Sequence, residues 1–299
     1  MNIIETHIVP DGVSGIRFSD YAWKVINAIP SRKGIKKAIK NGELRINGEV
    51  SGTGAWVRPG QRIDLYDFER HTPKDYTMPL QVVYEDDYIA LINKPAGIDV
   101  NGNKFRTVEN ALALNLAAIS SADALKRPRP AHRLDSQTSG LLLIAKTSFA
   151  LMNLGRQFEN RDIKKRYRAV VIGKTEERGR IERLVDGRDA ITDYALVRCV
   201  PSLKNTWLSL IDLWPHTGRT HQLRRHMAET GFPILGDKLY GPEGFILRSK
   251  GLFLCAVELS FHHPESGAPM TIAIDEPLKF KTFLDRETRR YENYNNSLA

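Results

Sequence analysis

The chain has 299 residues, which is enough for about two domains of ~150 residues each. Its 41% hydrophobic and 26% charged residues exclude a disordered or fibrous protein, and no apolar run approaches the ~18 residues that a membrane-spanning helix needs. Lysine and arginine number 44 against 35 aspartates and glutamates, a net charge of +9 that favours a polyanionic partner over a basic protein without one.

Two further features of the sequence indicate a reducing, cytoplasmic compartment. The first residues, MNIIETHIVPDG, lack the basic, apolar and small-residue zones of a secretory signal. The chain has only two cysteines, Cys199 and Cys255, and their spacing is not that of a metal site. We therefore expect a protein of the cytoplasm that has no membrane partner.

Residues 1–68 are predicted to form a small α+β module. A helix is indicated within residues 18–30, and Ser31 is suited to cap a second helix that Gly42 would end. Asn47-Gly48 marks a hairpin turn, and a strand follows at 61–66. The second helix carries a run of basic residues, among them Arg32, Lys36, Lys37 and Lys40. Such a run is usually a solvated helix face, so its charge alone assigns no function.

Residues 69–78 are polar and are predicted to be a linker to a second domain, residues 79–299. Strand patterns lie on either side of Asp86-Asp87 and at 140–146, 164–174, 194–200, 207–214, 252–261 and 270–274. Helices are predicted at 106–119, at 147–160 with Thr147 as the cap, and from Pro277 onward. Because the connections between strands are mostly hairpin-like, we expect an α+β fold with a large, mainly antiparallel sheet and flanking helices.

Asp135 is the first candidate for chemistry, in the stretch AHRLDSQTSG that precedes a buried strand. An arbitrary aspartate before a strand usually serves a turn or caps a helix. Here His132-Arg133 precede the acid with only Leu134 between them, and the polar loop that follows can aim a carboxylate outward. An aspartic protease would need the pattern D-[ST]-G twice, which this stretch does not provide.

Residues 215–241 form a second candidate segment, predicted as a helix that Thr217 or Thr220 caps and Gly231 and Pro233 end. It is open to three interpretations. It can be a basic surface helix, or a metal site, or the source of an arginine that pairs with Asp135 and keeps it ionised. The metal ligands would be His216, His221 and His226 with Asp237. Histidine spacings of five do not align on a helix as i,i+4 pairs do, which disfavours the metal site.

These motifs have a family resemblance. HRLDSQTSGLLLIAKT resembles the defining segment of the RluA-type pseudouridine synthases, and KRYRAVVIG (165–173) resembles their second motif. GRTHQLRRHM with GFPILGDKLYG resembles their arginine-bearing segment, while LINKPAG and LFLCAVELSFHHPESG resemble the opening and final motifs. The likeness covers roughly residues 79–285 in the family's order. Gln137 and Cys255 stand where an acid and a histidine are frequent, which leaves the subgroup open.

The resemblance implies the pseudouridine synthase fold with its central cleft, and an isomerase that converts uridine within structured RNA to pseudouridine without a metal or an organic cofactor. It makes Asp135 the catalytic carboxylate, Tyr167 the residue that stacks on the flipped base, and Arg224 the partner of the aspartate. Which atom Asp135 attacks stays open. The residues expected to bind substrate are His132, Arg133, Thr138, Lys165, Arg219, Thr220 and His221.

The first module has a resemblance of its own. From Ser31 through NGELRINGEV to VRPGQRIDLY it resembles the helix–hairpin RNA-binding module first seen in a ribosomal small-subunit protein. This implies RNA contacts by Arg32, Lys36, Lys37 and Lys40. We expect a ribosomal or transfer RNA as partner, not DNA, and a monomer, because one chain carries a complete site. The alternatives are a non-catalytic RNA-binding protein on the same scaffold and a metal-dependent hydrolase.

Overall fold

The computed structural model describes residues 2–29, 31–67, 75–242 and 250–298. The chain divides into two units, Met1–Pro73 and Lys74–Ala299. Most of the predicted linker, residues 69–78, lies outside the described residues, and its last residues, 75–78, are in neither a helix nor a strand. No helix among the described residues is long and apolar enough to span a membrane.

The first unit packs two helices against a small antiparallel sheet. Its elements are β1 (Asn2–Ile8), α1 (Phe18–Val25), α2 (Arg32–Lys40), β2 (Leu44–Ile46) and β3 (Arg62–Asp67), with β3 in the middle of the sheet. Helix α2 begins as the sequence predicts, because the Ser31 hydroxyl accepts a hydrogen bond from the Gly34 amide at 3.0 Å. Its apolar face is buried, which leaves Arg32, Lys36, Lys37 and Lys40 exposed.

Two sequence predictions for this unit were incomplete. The first helix ends at Val25, because the Glu5 carboxylate accepts hydrogen bonds from the amides of Asn27 and Ala28 at 2.9 Å each. Strand β1, which carries that glutamate, has no buried residue and therefore no hydrophobic pattern that predicts it. The turn at Asn47-Gly48 has the positive φ angles of a tight hairpin, but residue 49 forms only an isolated bridge to Ile46.

The second unit is built on one large sheet. Its first elements are β4 (Gln81–Glu85), β5 (Ile89–Lys94), α3 (Val108–Ala111), β6 (Ala124–Pro130), β7 (Ser139–Thr147), α4 (Ser148–Asn160) and β8 (Lys164–Ile172). They are followed by β9 (Arg178–Glu182), β10 (Ile191–Ser202), β11 (Thr206–Pro215), α5 (Gln222–Glu229), β12 (Leu254–His262), β13 (Pro269–Ala273) and α6 (Leu278–Asn296). Among the described residues the sheet has ten strands in the order β4-β5-β7-β12-β8-β11-β10-β9, with β13 on β12 and β6 on β7. The predicted α+β class is confirmed.

One parallel pair at the centre of this sheet positions the loop of Asp135. Strands β7 and β12 run parallel, whereas the other pairs recorded in the sheet are antiparallel. Gly140 at the start of β7 has a φ of +111°, and a Cβ there would lie 2.2 Å from the carbonyl oxygen of Ala256. Glycine is therefore required for β7 to approach β12. On the far side of β12, Ala256 is in register with Tyr167 of β8.

The predicted helix at 106–119 is wrong over its second half. Only Val108–Ala111 is α-helical, and a single 3-10 turn, Leu112–Leu114, follows. The Asn115 side chain ends this turn, because its amide group donates to the carbonyls of Met78 and Ala111 and its oxygen accepts from the Leu80 amide, each at 2.8 Å. Strands β6 and β9 were also missed.

Candidate active site

Asp135 lies on the loop between β6 and β7, and the end of β5 anchors this loop. The Thr138 amide donates to the Asp135 carbonyl at 3.0 Å and closes a tight turn. The next carbonyl, that of Ser136, accepts hydrogen bonds from the Gly97 amide at 2.7 Å and from Lys94 Nζ at 3.1 Å. The backbone on the carboxyl side of Asp135 is therefore held from two directions.

Lys94 is a fully buried cation with no role predicted from the sequence. Its Nζ donates to the carbonyls of Pro95 at 2.8 Å and Ile98 at 2.9 Å, as well as to that of Ser136. Burial lowers the pKa of Lys94 to about 8, against the opposing effect of Asp99 and Asp135. The KP dipeptide within LINKPAG was a usable signal, since a lysine at the end of a buried strand needs partners.

The carboxylate of Asp135 is about one-fifth exposed and faces two basic side chains. Arg224 Nη1 lies 3.7 Å from Oδ2, and His221 Nε2 lies 3.8 Å from Oδ1. Both distances are too long for hydrogen bonds, but the positive charge of Arg224 attracts the carboxylate at 3.7 Å. The structure thus brings Asp135 and Arg224 together across 89 residues of sequence.

Helix α5, which supplies Arg224, does not begin as predicted. Neither Thr217 nor Thr220 caps it. The residue before the helix is His221, in the left-handed conformation with a φ of +55°. Thr217 instead donates its hydroxyl hydrogen to the side-chain oxygen of Gln222 at 2.7 Å.

Asp237 holds the guanidinium of Arg224. Arg224 Nε and Nη2 each donate to a different oxygen of Asp237 at 2.7 Å, and both side chains are buried. Burial opposes the charge on Arg224, but Asp237 and then Asp135 raise its pKa above the ordinary value. Likewise burial opposes ionisation of Asp237, yet Arg224 and the amides of Leu239 and Tyr240 lower its pKa. This pair stays charged inside the protein.

Tyr240 completes the support of this corner. Its ring lies under the Arg224 guanidinium, with 5.2 Å between Cζ and the ring centroid, and its hydroxyl is 3.0 Å from His221 Nδ1. From the sequence, Asp237 was considered only as a metal ligand and Tyr240 had no predicted role. Their place in GDKLYG, beside the arginine segment, was the available signal.

The histidines considered as metal ligands have separate partners. His216 Nε2 lies 2.6 Å from an Asp193 oxygen, and His226 is buried against the Thr192 hydroxyl. In the part of the chain that the structure describes, no three histidine, cysteine, aspartate or glutamate side chains are grouped so as to hold a metal ion.

Tyr167 lies in the middle of β8, in register with Leu213 of β11 and Ala256 of β12. It is half-buried, and burial together with the charge of Asp135 raises the pKa of its phenol well above the ordinary value. The phenol is therefore neutral, which suits an aromatic surface for a base.

The residues predicted for the second unit line one cavity of about 330 Å³. Its lining includes His132, Arg133, Asp135, Thr138, Lys165, Tyr167, Arg219, Thr220, His221 and Arg224. The four α2 residues predicted to bind RNA, Arg32, Lys36, Lys37 and Lys40, belong to the first unit and are not among these lining residues. The sequence thus identified a set of residues that the fold brings together.

His132 is the member of this set with a clear structural task. Its Nε2 accepts a hydrogen bond from the Leu143 amide at 3.1 Å, and its ring packs on Phe158 with 4.9 Å between centroids. Burial and then the charge of Lys165 lower the pKa of His132 to about 3. The imidazole is therefore neutral and offers no positive charge to a phosphate.

Comparison with known proteins identifies the family. A family model described as RNA pseudouridylate synthase matches residues 88–229, a range that contains Asp135, Tyr167 and Arg224. An RNA pseudouridine synthase of Aquifex aeolicus, itself uncharacterized, is 34% identical over 280 residues, which cover 84% of this chain and 88% of that protein. The ribosomal large subunit pseudouridine synthase D of Xanthomonas campestris is 33% identical over 306 aligned positions, which cover 90% of this chain and 88% of that protein.

A solved structure agrees at the level of the fold. That of human RNA pseudouridylate synthase domain containing 1 superposes with a TM-score of 0.56 at 24% identity, covering 70% of this chain and 87% of that one. The predicted pseudouridine synthase fold is thereby confirmed, and the sequence relatives confirm the predicted isomerase activity. The chain belongs to the RNA pseudouridine synthase family, in its RluA type, and isomerises uridine in RNA to pseudouridine.

Proposed function

We propose that Asp135 is the catalytic carboxylate of this isomerisation, that Arg224 is its charged partner, that Tyr167 supports the target base, and that the substrate is large-subunit ribosomal RNA. One observation carries the proposal: the Asp135 carboxylate lies 3.7 Å from the Arg224 guanidinium in a cavity of about 330 Å³ that Tyr167 also lines. The volume is at the lower end of that of small-ligand sites, as a single nucleoside requires.

The reaction sets what the cavity must supply. The glycosidic bond moves from a ring nitrogen of uracil to carbon 5, and the product is an isomer of the substrate. Because no group is lost and no electrons are transferred, the step needs a positioned carboxylate and no co-reactant. The target base must leave its stack to reach Asp135, as in other enzymes that act on a base in a nucleic acid.

Tyr167 suits the extruded base because an aromatic side chain tolerates rotation of the ring that stacks on it. Its neutral phenol adds no charge beside Asp135. Arg219 and Thr220, at the cavity wall, are proposed to contact the flanking backbone.

The substrate class rests on the Xanthomonas relative, which is named for modification of the large ribosomal subunit. We also propose that the exposed basic face of α2 binds structured RNA, since Lys36, Lys37 and Lys40 make a cationic surface next to Arg32, which is paired with Asp20. The monomeric state and the cytoplasmic location belong to the same proposal.

The experiment adds purified full-length protein to total RNA from cells that lack it, and maps pseudouridine at each position. We expect new pseudouridine in large-subunit ribosomal RNA with the wild type and none with Asp135→Asn. Modification confined to transfer RNA would overturn the substrate class. An active Asp135→Asn variant would overturn the catalytic assignment, and RNA binding without any modification by the wild type would point to the non-catalytic alternative.

A further inference from the structure

We propose that a large groove beside the catalytic cavity binds the RNA strand that continues from the flipped uridine. This flanking groove has a volume of about 1320 Å³ and is formed by the end of α4, the start of β8, parts of β9 and β10, and the end of β11 with the loop after it. The inference rests on the proposed function, because it names where the rest of the substrate lies.

The flanking groove is continuous with the catalytic cavity. Six residues line both, namely Phe158, Lys165, Pro215, Thr217, Gly218 and Arg219. Its volume exceeds the ~300–1,000 Å³ of sites for small molecules. A polymer that passes through the catalytic cavity and extends to one side fits a space of this size and position.

The charge of the groove suits a phosphate backbone. Its cationic lining residues are Arg161, Lys164, Lys165, Arg178, Arg180 and Arg219, against the acids Glu159 and Asp193. Asp193 already has partners, since His216 Nε2 lies 2.6 Å and Arg180 Nη1 lies 3.7 Å from its oxygens. Within the described ranges, no carboxylate is in ion-pair contact with Arg161, Lys165 or Arg178.

Lys165 stands where the two spaces meet. It is half-buried, lines both, and its Nζ lies 3.8 Å from where a Cβ on Gly218 would be. Burial lowers the pKa of Lys165, as expected of a cation that has lost water without gaining a carboxylate. A phosphate next to the flipped nucleotide would restore the missing counter-charge.

Aromatic side chains distinguish RNA from other polyanions as the occupant. Trp214 is half-buried in the groove wall, and Tyr194 lies against Gly179, where a Cβ would come within 2.4 Å of the tyrosine ring. Bases stack on aromatic surfaces, whereas the carboxylates of an acidic peptide do not. A groove that combines cations with aromatic rings is typical of sites for single-stranded nucleic acid.

The test compares two triple variants with equal loss of charge. The groove variant carries Arg161→Gln, Lys164→Gln and Arg178→Gln, and the control variant carries Arg156→Gln, Lys281→Gln and Arg289→Gln. All six side chains are exposed, and the control residues line neither space. The probe is a fluorescent oligouridylate of about twelve nucleotides, titrated at several salt concentrations.

We expect the groove variant to bind the probe about tenfold more weakly than the wild type, and its salt slope to fall by about 0.7 for each phosphate that it no longer neutralises. The control variant should bind within about twofold of the wild type. In addition, Trp214→Ala should weaken binding about fivefold or more, whereas Trp214→Phe should retain most of the affinity.

Equal affinities and equal salt slopes for the two triple variants would overturn the assignment of the groove as an RNA site. Polyglutamate that competes with the probe as well as an equally charged oligouridylate would overturn the choice of RNA over an acidic peptide. Pseudouridine formation separates this inference from the proposed function. A wild type that modifies no RNA contradicts the proposed function. An active wild type whose groove variant binds the probe as well as the control variant contradicts only the groove as an RNA site.

Discussion

Arg224 makes its two short hydrogen bonds with Asp237, at 2.7 Å each, while its third nitrogen lies 3.7 Å from Asp135. The catalytic candidate therefore faces an arginine whose direction is fixed by a second, fully buried acid. Asp237 is not among the residues that line the cavity, and it acts on Asp135 only through Arg224, so it is a positioning residue.

Asp237→Asn should lower the single-turnover rate about 10- to 100-fold and leave RNA affinity nearly unchanged, because a misdirected Arg224 no longer faces Asp135 correctly. The rate and the Kd are measured on the same RNA, at a temperature where both proteins are folded. Arg224→Ala, which removes the charge itself, should lower the rate at least as much. A higher Kd with an unchanged rate would contradict the positioning role.

Tyr167→Ala should weaken binding of substrate RNA about fivefold or more, since stacking on an aromatic residue contributes about 1–3 kcal/mol per base. Tyr167→Phe should keep the affinity, because the ring and not the hydroxyl is the proposed contact. Both are measured in the Asp135→Asn background, which prevents turnover. Equal losses for Ala and Phe would show that the hydroxyl carries the interaction.

Lys94 gives a prediction about pH. Burial lowers the pKa of Lys94 to about 8 in the folded protein, whereas an unfolded lysine has a pKa of about 10.4. Between these values the unfolded chain binds more protons, so the contribution of Lys94 to the free energy of unfolding rises with pH, by up to about 1.4 kcal/mol per pH unit.

The corresponding measurement compares the wild type with Lys94→Met by urea unfolding between about pH 7 and pH 10. Below pH 8 the difference in unfolding free energy between the two proteins should not change with pH. Above pH 8 the unfolding free energy of the wild type should rise relative to that of Lys94→Met. A difference that stays constant over the whole range would contradict the lowered pKa.

The basic face of α2 can be tested in the same chain. Replacing Lys36, Lys37 and Lys40 with glutamine should weaken binding of ribosomal RNA and reduce the salt slope by about one unit for each phosphate that α2 no longer neutralises. The matched control replaces Lys174, Lys250 and Lys281, which are exposed lysines of the second unit. A slope that the α2 variant leaves unaltered would mean that α2 does not touch the RNA.

The parts of the fold that the sequence predicted are those that local chemistry specifies. Ser31 and Thr147 cap their helices as expected, each accepting a hydrogen bond from the amide three residues on. The central strands β7, β8 and β12 are rich in apolar residues and were recognised. Strands β1 and β9 are mostly exposed and are held by hydrogen bonds to the adjacent strand. They therefore lack a hydrophobic pattern from which the sequence could predict them.

The site was predictable as a set of residues but not as an arrangement. Motif resemblance placed Asp135, Tyr167 and Arg224 in one site, and the structure gives them one cavity. The pairing of Arg224 with Asp237 instead depends on how the chain after α5 returns over the helix. Such a return is decided by tertiary packing, and the sequence signal for it was the place of Asp237 in GDKLYG, beside the arginine segment.

The most direct test of the central claim is the single-turnover rate of pseudouridine formation by Asp135→Asn on RNA that the wild type modifies. The control is Asp87→Asn, an exposed aspartate in a turn outside the cavity. We expect Asp135→Asn to lose at least about 1,000-fold in rate while binding the RNA as the wild type does, and Asp87→Asn to be fully active. A rate for Asp135→Asn close to that of the wild type would contradict the assignment of Asp135 as the catalytic group.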